Sequence, residues 1–128
     1  MALYYYAIGT TENNLVTLRS MGMKPPLQTF KPYTTLDETA SGDLVGQGWA
    51  QDDWDFGFIS DAHRALLRAY CPGASAEVYV KTLDTSIATP AWKVYRAKMR
   101  WVAIEEDRQN EYRLKFRLNF KLIEDVTP

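Results

Sequence analysis

The sequence predicts a mainly β fold of the α+β kind: an antiparallel β-sandwich or barrel with one flanking α-helix and a long N-terminal loop region. Three observations carry that prediction. Residues 92–104 and 111–122 alternate apolar and polar side chains with the period of two that half-buried strands show. Residues 60–71 are the one stretch with helical spacing behind a capping residue. Residues 9–43 are rich in Gly, Pro, Thr and Asn, and Lys24-Pro25-Pro26 and Lys31-Pro32 stop any regular element that reaches them.

A length of 128 residues fits a single domain, 1–128, and the 46% hydrophobic content is enough for a real core. The formal charge of −1, from 15 Lys+Arg against 16 Asp+Glu, gives no global attraction to nucleic acid or membrane, so any electrostatic role depends on how the charges are sorted. One cysteine, Cys71, excludes an internal disulfide, and with the single His63 it leaves no ligand set for structural zinc. A reducing cytoplasm is the simplest compartment. The opening Met-Ala-Leu-Tyr-Tyr-Tyr is apolar but short and lacks a basic leading segment, so it reads as neither a signal peptide nor a membrane span.

The elements follow in order. Within 9–43, long loops and short strands fit best, and a stretch of about thirty residues with so little periodicity inside a domain is either disordered or a loop that binds something. Phe30, Tyr33 and Leu36 argue against disorder. Leu44 to Phe58 reads as one bent strand, with Trp49, Trp54, Phe56 and Phe58 among small and acidic residues and with Gly46, Gly48 and Gly57 marking bends or bulges. Ser60 fits an N-cap, Asp61 adds a carboxylate to the first turn, and Ala62, Leu66, Ala69 and Tyr70 share one side of the helix, which Cys71-Pro72-Gly73 ends. Ser75 to Leu83 is the next strand, with Ala76, Val78, Val80 and Thr82 on one face and Glu77, Tyr79 and Lys81 on the other.

The last third reads as a long hairpin, 92–122. Tyr95, Ala97, Met99 and Trp101 oppose Val94, Arg96, Lys98 and Arg100. After the polar connection 105–110, Tyr112, Leu114, Phe116, Leu118, Phe120 and Leu122 oppose Arg113, Lys115, Arg117, Asn119 and Lys121. Twelve residues of strand reach roughly 40 Å, well beyond the common five or six residues. A small domain covers that length poorly, and long regular hairpins commonly complete themselves against another chain. The alternative within one chain is a bulged, curved strand wrapped around a barrel.

Charge sorting sharpens the question of neighbours. Arg96, Lys98, Arg100, Arg113, Lys115, Arg117 and Lys121 are seven of the fifteen basic residues, all on one face of this hairpin. Like charges on adjacent strands repel unless they are compensated. Asp53 and Asp55 lie two apart on one face of an extended stretch, and Asp43, Asp52, Glu77 and Glu105-Glu106-Asp107 add more acid. Neighbouring strands or neighbouring subunits are therefore expected to interleave the signs, beside the plainer reading of a solvated face with ordinary ion pairs. The candidate inter-subunit contacts are Phe30, Tyr33, Asp53, Asp55, Arg96, Lys98, Arg100, Arg113, Lys115, Arg117 and Lys121.

Catalytic and metal motifs fail on geometry. Ser60, Asp61 and His63 lie within one helical turn and cannot form a nucleophile, base and orienter chain, so they read as a cap and a surface or interface histidine. Asp52, Asp53 and Asp55 lack the glycine and distant glutamate of a calcium loop. Gly46-Gln47-Gly48 is too short to cradle phosphate. Nothing around Cys71 suggests a low thiol pKa. Tyr79, Tyr95 and Trp101 qualify for a base-stacking platform, but Tyr112, Phe116 and Phe120 lie opposite the charges, which leaves the basic face little to stack on. No cofactor and no enzyme activity are expected.

The run "VGQGWAQDDWDFGFISDAHRALLRAYCPGASAEVYVKT", Val45 to Thr82, an aromatic strand, a short helix, a Gly turn and a strand, resembles the central segment of tail tube (major tail) proteins of long-tailed bacteriophages. "WKVYRAKMRW" and "YRLKFRLNFKL" are similar to the long closing strands of that fold, and the resemblance covers most of the chain after Leu27. It implies a non-enzymatic virion protein of the phage tail, made in the host bacterial cytoplasm. Copies would form homo-hexameric rings that stack into a tube, with inner strands merging around a lumen and the long loop reaching a neighbouring ring. Other tail proteins would meet the tube ends, and genome DNA would pass through without sequence-specific binding. Many members carry a further C-terminal immunoglobulin-like domain, so the resemblance implies a minimal tube. Because tube lumens are commonly acidic, the basic face is expected to match acid on strands or subunits rather than to hold DNA. Related tail parts (a terminator, a head-tail connector or a distal-tail ring) are the near alternatives, a nucleic-acid-binding β-barrel is one from a different class, and a small enzyme is more remote.

Overall fold

The computed structural model describes residues 5–102, 107–109 and 112–127. Ten strands and one helix follow in the order β1 Ala7–Gly9, β2 Val16–Thr17, β3 Leu27–Lys31, β4 Thr35–Glu38, β5 Leu44–Gln47, β6 Ala50–Ser60, α1 Asp61–Arg68, β7 Ser75–Asp84, β8 Ala91–Arg100, β9 Asp107–Gln109 and β10 Tyr112–Asp125. The protein is mainly β with one short helix, and its large antiparallel sheet curls into a half-barrel. The strand order is β2-β1-β7-β8-β10-β6-β3, with β9 pairing β10, while β4 and β5 form a separate two-stranded sheet.

Period-two patterning sets which side of the large sheet is dry. Trp54 lies opposite Leu118 and Asp52 opposite Phe120, while Met99, Ala97 and Tyr95 continue the same face through β8 to Ala76, Val78 and Val80 on β7. These side chains form one core with Leu18 and Met23 from the N-terminal loops and with Leu67 and Cys71 from the helix region. Trp54 stacks against Phe120 at 4.6 Å between centroids and meets Tyr6 edge-on at 5.5 Å. Fully burying each such side chain contributes on the order of 2–3 kcal/mol.

Four sequence expectations are corrected. The single bent strand from Leu44 to Phe58 is two strands: β5 pairs with β4, and β6 pairs with β3 and β10. The break falls at Gly48, whose φ of +89° is left-handed and cannot continue a strand. A second left-handed glycine, Gly57 at φ +71°, makes a bulge in β6 that turns Phe58 outward and returns Ile59 to the core. Tyr112 was expected on the buried face, yet it is 41% exposed. The register between β10 and β6 slips around Phe116, opposite that bulge, and Tyr112 packs edge-on against Phe58 at 5.9 Å.

On the helix, Ser60 caps α1 by accepting the His63 N–H at 3.2 Å, as expected, but the buried face differs. Leu67 is buried and Leu66 is exposed, because Leu67 and Cys71 are the pair that faces the sheet. Arg64 and Arg68 lie over the Trp101 ring at 5.3 and 4.2 Å, so two charged residues shield an aromatic that periodicity treats as plain core. Burial pushes the Cys71 thiol above its ordinary range, against the opposing charge of Arg68. Finally, the polar connection at 105–110 contains strand: β9 pairs with the start of β10 on the edge that β8 occupies further along. Glu105 and Glu106 lie outside the described residues.

A carboxyl is sealed inside the core beside a buried hydroxyl. Asp52 is fully buried, and its Oδ2 accepts the Trp54 Nε1–H at 2.8 Å and the Thr82 hydroxyl at 2.5 Å, while its Oδ1 has no partner among the described residues. Gln28 stands beside it, accepting the Tyr6 hydroxyl at 2.8 Å and donating to the Leu83 carbonyl at 2.5 Å. Burial raises the Asp52 carboxyl to about 7, with the Thr82, Gln28 and Trp54 donors offsetting part of the shift and Asp53 adding to it. A carboxyl raised on folding stabilises most below its unfolded value and loses that contribution as pH rises toward the folded one. Urea unfolding at pH 5, 6, 7 and 8 should therefore show a fall in stability with a slope of at most about 1.4 kcal/mol per pH unit, absent from Asp52→Asn.

Candidate assembly surface

Between β3 and β6 the chain leaves the sheet. Every residue from Lys31 to Trp49 is exposed, and β4 and β5 hydrogen-bond only to each other and to their own turn. Opposed residues share a face, and the pairs Leu36 with Gly46 and Glu38 with Leu44 therefore put Leu36, Leu44 and Glu38 on one side of this arm. The Tyr33 ring lies over Gly46 on that side, where any side chain at 46 would overlap it. Tyr33, Leu36 and Leu44 are 41, 52 and 67% exposed, an apolar stripe on an arm that pairs with no strand of the large sheet. The tip is a polar turn: the Asp43 N–H meets Thr39 Oγ1 at 3.2 Å, and Ser41 donates to Asp43 Oδ2 at 3.1 Å. At its base, Trp49 is half exposed, with Lys121 Nζ 5.2 Å from its ring centroid.

The basic face of β8 and β10 is compensated largely within the chain. Arg96 reaches Glu77 on β7 and Glu124 on β10, each at 3.2 Å, and Lys98 meets Glu77 at 3.8 Å. Arg100 donates to Asn119 Oδ1 at 2.6 Å, and Asn119 donates in turn to Asp53 at 2.5 Å. Lys31 approaches the other oxygen of Asp53 at 3.9 Å. Arg113 binds Asp61 at 3.0 Å, tying β10 to the first turn of α1. Lys98 and Lys121 are directly opposed, with Glu77 on the far side of Lys98. These pairs are partly solvated and individually weak, so their chief effect is to cancel the field of the face.

The eleven residues singled out from sequence therefore divide. Tyr33 is on the arm. Phe30 turns inward from β3, half-buried and tilted against Tyr95 at 6.4 Å, so it belongs to the core margin. Asp53, Arg96, Lys98, Arg100 and Arg113 are engaged inside the chain. Asp55 accepts the Gly57 N–H at 2.9 Å across the bulge. Arg117 is exposed opposite Asp55 without an ion pair among the described residues, Lys121 covers Trp49, and the side chain of Lys115 lies outside the described ones. Leu36, Leu44 and Trp49 were not among the candidates; Leu36 reads as part of the long loop region and Leu44 as the start of a sheet strand until the pairing shows that β4 and β5 join each other and not the main sheet. The Ser60, Asp61 and His63 group is a helix cap, and among the described residues no cluster of three or more His, Cys, Asp or Glu is placed to hold a metal. Among the same residues no helix is long and apolar enough to cross a membrane.

No protein family, curated protein or solved structure matches this chain.

Because the arm pairs with no strand of the large sheet and both leucines are more than half exposed, Leu36→Asp with Leu44→Asp should leave the fold intact. Thermal and urea unfolding of that double variant should stay within about 0.5 kcal/mol per substitution of the parent. A loss of several kcal/mol would place the arm inside the cooperative unit.

Proposed function

We propose that this protein is a structural subunit that assembles with copies of itself, a tail tube protein of a long-tailed bacteriophage. Hexameric rings would stack into a tube through which genome DNA passes, other tail proteins would meet the tube ends, and the protein would reside in the virion. The observation that carries this reading is the arm: about seventeen residues with an exposed apolar stripe, detached from the sheet, which a solitary soluble protein has no physical reason to keep out of its core. The length of β10, fourteen residues, and the resemblance of Val45 to Thr82 support the same reading.

Nucleic-acid binding as the main role fares worse on electrostatics. Affinity for a phosphate backbone requires cations that release counterions, and five of the seven basic side chains are engaged by side chains of the chain or by an aromatic ring. Negative-stain electron microscopy of the purified protein over a range of concentrations is the direct test. Tubes of uniform width are expected; rings that do not stack would indicate a terminator, connector or distal-tail ring instead. A monodisperse monomer whose affinity for single-stranded DNA falls steeply with salt would overturn self-assembly in favour of a nucleic-acid-binding β-barrel.

A further inference from the structure

The strand that starts at the base of the arm ends at a recess. β6 runs from Ala50, next to Trp49, to Ser60, so its eleven residues hold the two ends roughly 35 Å apart. At the Ser60 end, Met23, Lys24, Phe58, Ser60, His63 and Tyr112 line a cavity of about 320 Å³. Its mouth is apolar: Phe58 and Tyr112 are 50 and 41% exposed, turned out by the Gly57 bulge. Lys24 Nζ sits over the Phe58 ring, 3.5 Å from its centroid, and meets no carboxylate among the described residues. The acids nearby are already engaged, Asp61 by Arg113 and Asp55 by the Gly57 N–H.

The arm carries the complement. Residues 32–63 contain no Lys or Arg, and the arm contributes Asp37, Glu38 and Asp43. Glu38, which makes no ion pair among the described residues, shares a face with Leu36 and Leu44. No arm residue lines the recess of its own chain.

We infer that the recess is the socket for the arm of a second copy. Leu36 and Leu44 enter against Phe58 and Tyr112, and Glu38 meets Lys24. This rests on the self-assembly proposed above and adds where the arm goes. Donor and acceptor are different surfaces at opposite ends of one strand, so the contact repeated in one direction is head-to-tail and propagates, as the tube reading requires, whereas a reciprocal exchange would close a two-fold pair and stop at dimers.

Two measurements on the full-length chain test it. Sedimentation velocity should show Lys24→Glu and Glu38→Lys each raising the concentration needed for assembly at least tenfold, and the combined variant returning it to within about threefold of the parent. Cysteine cross-linking reads proximity directly, since Cys71 is buried. With Lys24→Cys and Glu38→Cys in one chain, oxidation of the assembled protein should give a ladder of covalent oligomers beyond the dimer, whereas each single variant stops at dimers. If the parent assembles while the double-cysteine chain yields no ladder, or a fast-migrating intrachain product, the socket is wrong and self-assembly stands. A parent that remains monomeric at every concentration removes both.

Discussion

The ladder between β6 and β10 is the constraint on which the rest of the molecule depends. It runs from Tyr112 opposite Ser60 to Leu122 opposite Ala50, and it places Trp54, Leu118, Asp52 and Phe120 on a single dry face. β10 hands that face to β8 and then to β7 and β1, while β6 passes its other edge to β3. The helix begins where β6 ends, and the arm leaves just before β6 starts. A slip of one residue in this register would turn Trp54 and Phe120 to solvent and Asp53 and Arg117 inward, so one pairing fixes core, outer surface and the two ends together.

The outer surface follows from the same register. Opposed residues lie within side-chain reach, so a row such as Arg100, Asn119 and Asp53 across three strands relays charge to charge through an amide. Interleaving the signs row by row weakens the repulsion among Arg96, Lys98, Arg100 and Arg113 while leaving them partly solvated. The buried exception, Asp52, is held by Trp54 and Thr82 and leaves an unpartnered oxygen in the core. Unsatisfied polar atoms in cores are uncommon and costly, so Asp52 Oδ1, like Trp101 Nε1, also unpartnered among the described residues, marks a point where the fold gives up stability.

Much of this was legible from residues alone. The alternation of Val78, Val80, Ala97, Met99, Leu118 and Phe120 gave the strands and their faces, and Ser60 with Asp61 gave the start of the helix. What periodicity cannot express is pairing partner. Leu44 to Phe58 alternates well enough to pass for one strand, and only the hydrogen-bond partners on either side of Gly48 divide it into an arm strand and a sheet strand. The same blindness applies at Gly57: one left-handed residue shifts the phase of the end of β6, and the register of β10 slips opposite it, so Phe58 and Tyr112 emerge where counting by two buries them. Leu66 and Leu67 fail for a related reason, because a short helix with alanines on several sides does not determine its own rotation against a sheet. The neutralisation of the basic face was foreseen in kind, but whether neighbouring strands or neighbouring subunits supply the acid is a question of tertiary register.

The detachment of the arm has an energetic consequence of its own. Its backbone hydrogen bonds are shared with no strand of the large sheet, so opening it breaks no part of the β6–β10 ladder and exposes little that water does not already reach. An isolated two-stranded hairpin is marginal in water. The free energy of local opening in the arm is therefore set apart from that of global unfolding, with the arm at the low end and the central strands at the high end. A surface that received the arm would have to supply that order, and the entropy lost in the ordering would weaken each single contact, so that many acting together would be needed for a lasting one.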